Sequence, residues 1–212
     1  MEDIQDVKLQ PMPVSQFLKP LRMTFKQNGK ERFWDFVKLH ESVSCILFNR
    51  KRGVLVFVKQ FRPAVYYGNS VPTTGDNSVK DMDWTKVPAK NGITIELCAG
   101  IVDDPKLSLA EIVKKEILEE CGYEVPLDKI EKVIGYRSGV GVSGDKNNMF
   151  YAEITDEMKV HEGGGLEHEG EFIDVVEMTV PEIRKFIEQD NVPSPGGFLF
   201  AILWFLTHKA PK

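Results

Sequence analysis

The chain has 212 residues, and its 27 Lys plus Arg against 32 Asp plus Glu give a formal net charge of −5. At 42% apolar and 28% charged residues it carries enough apolar material to offset chain entropy, which excludes disorder as the dominant state. No run is strongly basic, so no nucleic-acid partner is expected, and no apolar stretch reaches the roughly 18 residues of a membrane helix.

The N-terminus carries Glu2, Asp3 and Asp6 and lacks the basic-then-apolar order of a signal peptide. Cys45, Cys98 and Cys121 are odd in number and have no framework spacing. They predict reduced thiols and a cytoplasmic protein.

In chain order, residues 1–20 read as an irregular entry with Pro11, Pro13 and Pro20. Residues 22–26 and 32–38 alternate around Asn28-Gly29, which predicts a hairpin. Residues 42–48 and 54–59 form a second pair, bent at Lys51-Arg52-Gly53. Residues 61–66 follow as an edge strand or extended loop, because Pro63 cannot donate to a ladder. Residues 68–92 read as one long loop. A strand is expected at 93–97, a helix at 109–121, and strands near 130–136, 149–154 and 171–176. Helices near 181–189 and 196–208 finish the chain. Because the order does not alternate strand and helix, a doubly wound parallel sheet is not expected. A mixed sheet packed between helices is.

The most informative segment is S-L-A-E-I-V-K-K-E-I-L-E-E-C-G-Y, residues 108–123. Ser108 and Glu111 form a capping box, and Gly122 is a natural C-terminal stop. Leu109, Ile112, Val113, Glu116 and Glu120 share one stripe at 100° per residue, as about 3.6 residues per turn requires. The stripe starts apolar and ends in carboxylates. Acidic helix faces are usually solvated, but these glutamates continue a core-facing stripe. With Glu119 they also crowd the helix end where the dipole disfavours anions. A hard divalent cation, Mg²⁺ or Mn²⁺, would suit such an oxygen-only set.

Lys115–Tyr123, K-E-I-L-E-E-C-G-Y, resembles the second half of the Nudix box, R-E-U-x-E-E-x-G-U with U apolar. Glu96–Gly100, E-L-C-A-G, is similar to the E-L-P-A-G strand end of the nucleoside diphosphate sugar branch of that family, as is V-K-Q-F-R-P-A-V-Y at Val58–Tyr66. Y-R-S-G-V-G-V-S-G and M-F-Y-A-E-I-T-D-E add to the likeness, which runs from residue 20 to residue 208. The first half of the box departs from the pattern G-x5-E-x7-R-E. Gly100 stands one residue too far upstream, Leu107 occupies the first glutamate, and Lys115 replaces the arginine.

The resemblance implies an α/β fold, a Nudix-type α/β/α sandwich with a mixed sheet. Residues 1–40 would form a small β-hairpin subdomain for homodimerisation, and residues 41–212 the hydrolase domain. The implied reaction is Mg²⁺-dependent hydrolysis of a nucleoside diphosphate sugar, UDP-glucose to UMP and glucose 1-phosphate, with ADP-ribose as a second substrate. An ADP-ribose pyrophosphatase and a non-catalytic nucleotide-binding module stay open as alternatives. Implied metal ligands are Glu116, Glu119, Glu120, the Ala99 carbonyl and Glu171. Glu120 would be catalytic, with Glu171 first and Glu169 second as the base. Arg62 and Glu96 would bind substrate, although each alone also reads as half of a structural ion pair. The glycine-rich loop 138–147 reads either as a phosphate-approaching loop or as a flexible turn.

Overall fold

A computed structural model describes residues 3–10, 12, 14–15, 18–71 and 82–211. Strands β1 (Lys19–Gln27) and β2 (Lys30–Lys38) form a separate two-stranded ribbon. It turns at Asn28 and Gly29, whose φ angles of 52° and 75° match the twist of a tight hairpin. The register places Leu21, Met23, Phe25, Trp34 and Phe36 on one side of the ribbon and the Arg22–Asp35 and Lys26–Glu31 ion pairs on the other. Two hydrogen bonds tie the ribbon to the rest: Trp34 Nε1 donates to the Gly141 carbonyl at 2.9 Å, and the Val37 N–H to the Val142 carbonyl at 2.8 Å.

The main sheet has seven strands: β3 (Ser42–Asn49), β4 (Val54–Phe61), β5 (Ile93–Glu96), β6 (Cys98–Ile101), β7 (Ile130–Arg137), β8 (Lys146–Ile154) and β9 (Ile173–Thr179). β3 lies parallel to β8, and the other pairings are antiparallel. β3 and β4 pair only near their turn, Leu47–Asn49 with Val54–Val56. Beyond that they part: β6 pairs with β3 at residues 42–45, and β5 with β4 at residues 58–61. The sheet therefore splits, with Glu96, Ala99 and Gly100 in the gap.

Side chains alternate across the strands with period two. Val43, Cys45, Leu47, Val56, Val58, Phe150 and Ala152 pack on α2 (Leu109–Cys121). Ile46, Phe48, Leu55, Phe57, Met149 and Tyr151 pack on α3 (Val180–Ile187) and α4 (Gly196–His208). This is the expected α/β/α sandwich with a mixed sheet. Of the aromatic residues on α4, Phe198 and Phe205 are buried and Phe200 is exposed. Among the described residues no helix is long and apolar enough to cross a membrane.

Three expectations need correction. Residues 61–66 are not an edge strand: β4 ends at Phe61, and α1 (Pro63–Ser70) begins at once. Pro63 sits in the first turn of that helix, where its missing N–H has no partner to lose and its fixed φ is helical. Arg62 before it is extended, as a residue preceding proline should be. The predicted loop 68–92 is also partly ordered. Residues 82–92 contain two 3-10 turns held against α1 by Tyr66 and Trp84, whose tilted rings have centres 5.5 Å apart, and by the Tyr66 hydroxyl on the Val87 carbonyl; residues 72–81 lie outside the described residues. The last strand starts at Ile173, so Glu171 stands in the loop before it.

α2 ends where the sequence requires. Gly122 adopts φ +76°, and its N–H caps the Leu118 carbonyl at 2.9 Å. A Cβ on Gly122 would overlap the His161 carbonyl. Gly122→Ala is therefore expected to destabilise the fold by more than about 1 kcal/mol, combining left-handed strain with a backbone clash. Urea denaturation of wild type and variant measures it.

Candidate active site

The site is the gap in the sheet, roofed by the last two turns of α2. Glu120 is 3% exposed, and its Oε2 accepts the Ala99 N–H at 2.9 Å. In an antiparallel strand a residue's N–H and C=O leave on the same side, so the Ala99 carbonyl also projects toward Glu120. Glu116 lies one turn earlier, against Gly100. A Cβ on Gly100 would overlap the Glu116 carboxyl, so only glycine lets the helix approach this closely.

Burial lifts the Glu120 pKa to about 8; the Ala99 N–H and Cys98 oppose the rise, and the nearby Glu116 and Glu171 charges add to it. Burial likewise lifts Glu116 to about 7, against the pull of Lys115 and with the push of Glu119, Glu171 and Asp103. Glu119, half-buried, pairs with Lys115 Nζ at 3.2 Å. Lys115 thus keeps the position of the usual arginine as a point charge on one carboxylate.

Arg62 and Glu96, each readable alone as half of an ion pair, are paired with each other. Nε and Nη2 of Arg62 donate to the two Glu96 oxygens at 2.9 and 2.8 Å, a bidentate fork. Burial would raise the Glu96 pKa, but the Arg62 guanidinium and the Thr94 hydroxyl, 2.6 Å from Oε1, hold it below its ordinary value. The Arg62 side chain stays 47% exposed, and the charges of Glu120 and Glu171 act on it.

Glu171 reaches the same place from a distant part of the chain. Its charge acts on Glu116, Glu120 and Arg62, and its Oε2 accepts the Leu166 N–H at 3.0 Å. Glu169 ends a 3-10 turn, and its side chain lies outside the described residues. Glu116, Glu120, Glu171, Ala99, Arg62 and Glu96 are therefore brought to one gap, with Glu119 on its rim. Among the described residues no three His, Cys, Asp or Glu side chains already stand close enough to chelate an ion. The donors present are all oxygens, which fits a hard divalent ion.

Several N–H groups of loop 138–147 are already taken within the loop. Those of Val142, Ser143 and Gly144 converge on the Gly139 carbonyl at 2.8, 2.8 and 3.1 Å, and Asp145 takes the Ser138 and Ser143 hydroxyls.

Sequence reasoning missed Thr94, Gly100 and the Leu166 N–H. Thr94 carried a usable signal, since it lies two residues from Glu96 on one strand and so shares its face. The other two depend on contacts between distant segments.

No family model matches the chain. Over its whole length it is 42% identical to the uridine diphosphate glucose pyrophosphatase of Bos taurus, covering 98% of that protein. It is 38% identical to the Mus musculus protein of the same name, with the same coverage. A GDP-mannose pyrophosphatase of Cronobacter sakazakii matches at 30% identity over 69% of this chain and 63% of its own length. The chain belongs to the Nudix hydrolase family. α2 is then its Nudix helix, keeping the second half of the box on a fold that leaves Leu107 and Lys115 in the altered first half.

The Arg62–Glu96 fork yields a pH test. The folded pKa of Glu96 lies below its ordinary value of 4.5, so the unfolded chain binds that proton more readily. The stabilisation is complete above this value and is lost as pH falls through the folded pKa. Arg62→Gln is expected to lower stability at pH 7 by about 1–3 kcal/mol, because it strips a buried acceptor of its partner. The deficit should shrink below pH 4.5. A deficit independent of pH would show that the fork is electrostatically silent.

Proposed function

We propose that this chain hydrolyses the diphosphate bond of nucleoside diphosphate sugars, converting UDP-glucose to UMP and glucose 1-phosphate with a divalent cation, Mg²⁺ or Mn²⁺. The observation that carries this reading is the convergence of Glu116, Glu120 and Glu171 on one gap in the sheet, in a chain similar over its full length to UDP-glucose pyrophosphatases. Glu116, Glu119, Glu120 and the Ala99 carbonyl would hold the cation, with Glu171 as a further ligand. Bound there, it neutralises the diphosphate and lowers the pKa of an attacking water.

The chain's own groups do the rest. Arg62 is fixed by Glu96 through Nε and Nη2, and this turns the remaining N–H edge of the guanidinium toward a phosphate oxygen. One Glu171 oxygen is held by Leu166. The other takes the proton of the water that attacks phosphorus, while the P–O bond to the second phosphate breaks. Glu169 is the second candidate for that role. The reading predicts product release from UDP-glucose, with GDP-mannose and ADP-ribose as further arms of the panel. No phosphate-containing product from any of them with cation present would leave only a nucleotide-binding module.

Glu120→Gln is expected to cut turnover at saturating Mg²⁺ by at least about a hundredfold while the protein stays folded. It should also weaken the rise in melting temperature that added Mg²⁺ gives the wild type. An unchanged rate and an unchanged Mg²⁺ response would make Glu120 a buried structural carboxylate.

The proposal extends to assembly. Residues 1–40 would be a dimerisation subdomain and residues 41–212 the hydrolase domain. Support comes from the ribbon itself: Leu21, Met23 and Trp34 on its apolar side are all exposed, and an isolated hairpin is marginal in water. A second copy of the chain would cover that face. The free thiols of Cys45, Cys98 and Cys121 support a cytoplasmic setting. Sedimentation should show a homodimer, and Trp34→Asp should yield monomer with little activity. A fully active wild-type monomer at assay concentration would refute the dimer.

A further inference from the structure

The α2 carboxylates and Glu171 belong to segments some fifty positions apart, between residues 116–120 and residue 171. The glycine run 163–165 joins them. Gly163, Gly164 and Gly165 take φ of 76°, 116° and 77°, conformations closed to most side chains. In this shape the Gly164 N–H donates to the Glu120 carbonyl at 2.9 Å and the Gly165 N–H to the Glu119 carbonyl at 3.1 Å. The last carbonyls of a helix have no intrahelical partner, and here two of them are capped by the loop that carries Glu171. Gly163 lies so close that a Cβ would overlap the Glu120 carbonyl.

The other end of the run faces Glu171. A Cβ on Gly165 would stand 2.8 Å from the Glu171 Cβ and 2.9 Å from its Oε2. The same carboxylate is held by the Leu166 N–H at 3.0 Å, and the Glu171 N–H returns to the Leu166 carbonyl at 3.2 Å. Two backbone bonds thus set the loop against the carboxylate-bearing turn of α2, and two more set Glu171 within the loop.

We infer that Gly165 is a positioning residue for the reaction: it registers the Glu171 carboxylate against the Glu119–Glu120 turn, with Gly164 completing the link. The inference deepens the proposed function and rests on Glu171 acting there. It predicts a loop fixed at residues 163–166, in place of a lid that swings over substrate.

Gly170 supplies the control. It lies in the same loop with φ +81°, and a Cβ there meets nothing within 4 Å. Gly165→Ala and Gly170→Ala therefore carry like backbone strain, but only the first presses on Glu171. With UDP-glucose, Gly165→Ala should lower kcat by about a hundredfold, the loss expected for a misplacement of about 1 Å, with KM little changed. It should also weaken Mn²⁺ binding measured by calorimetry, and Gly170→Ala should do neither. Equal effects of the two variants, or none, overturn the inference. Glu171→Gln is run alongside: if it leaves the rate of an active wild type unchanged, the role of Glu171 fails, and the inference with it. Should Gly165→Ala not fold, native-state hydrogen exchange decides. Gly164 and Gly165 amides protected like those of α2 support the link, and exchange as fast as that of Gly170 overturns it.

Discussion

A carboxylate in the last turn of a helix faces the negative end of the dipole, and burial strips away the water that would screen it. Glu120 meets both conditions at 3% exposure, with Glu116 one turn earlier on the same stripe. Neither is neutralised by a fork like the one on Glu96. Their raised pKa values, about 8 and about 7, record that tension in the protein alone. The surroundings are built to hold it. The sheet parts so that the Ala99 N–H can reach Glu120, and Gly100 lacks the side chain that would push Glu116 away. A cation held there, as proposed, would relieve that tension.

The positive charges around the gap are already engaged. Arg62 is forked onto Glu96, and Lys115 pairs with Glu119. The box is altered in its first half. Leu107 removes one carboxylate, and Lys115 exchanges a planar fork for a point charge. The placement of Glu116 and Glu120, however, depends on the Ser108–Glu111 capping box, on Gly122 and on the capping loop 163–165, and all three are present.

How much of this was legible in the sequence follows from the range of each contact. α2 and α4 have the bounds read from the sequence, residues 109–121 and 196–208, because caps and apolar periodicity are local signals. The hairpin at Asn28-Gly29 was legible for the same reason. α1 was not, because a proline after an alternating strand suits both a strand edge and a helix start, and only the Tyr66–Trp84 packing chooses. The split between β3 and β4 was not legible either. It arises because residues 93–101 insert between two strands that their turn alone would have kept paired. Within the site, the glutamates of α2 could be read by their spacing. The bond between Arg62 and Glu96 could not, since each residue alone reads as half of some ion pair and nothing local names the other half.

The parts of the site also divide by what they can recognise. A diphosphate is common to UDP-glucose, GDP-mannose and ADP-ribose. The groups suited to it lie in the gap, fixed by backbone bonds on β6, α2 and loop 163–166. Base and sugar differ among those molecules, so discrimination has to come from side chains outside the gap. The ribbon and loop 138–145 lie outside it. They are joined to each other by Trp34 on Gly141 and Val37 on Val142, and Trp34, Val140 and Val142 are exposed. The fold thus keeps the groups suited to a diphosphate on elements of the main sheet and α2, apart from the two-stranded ribbon.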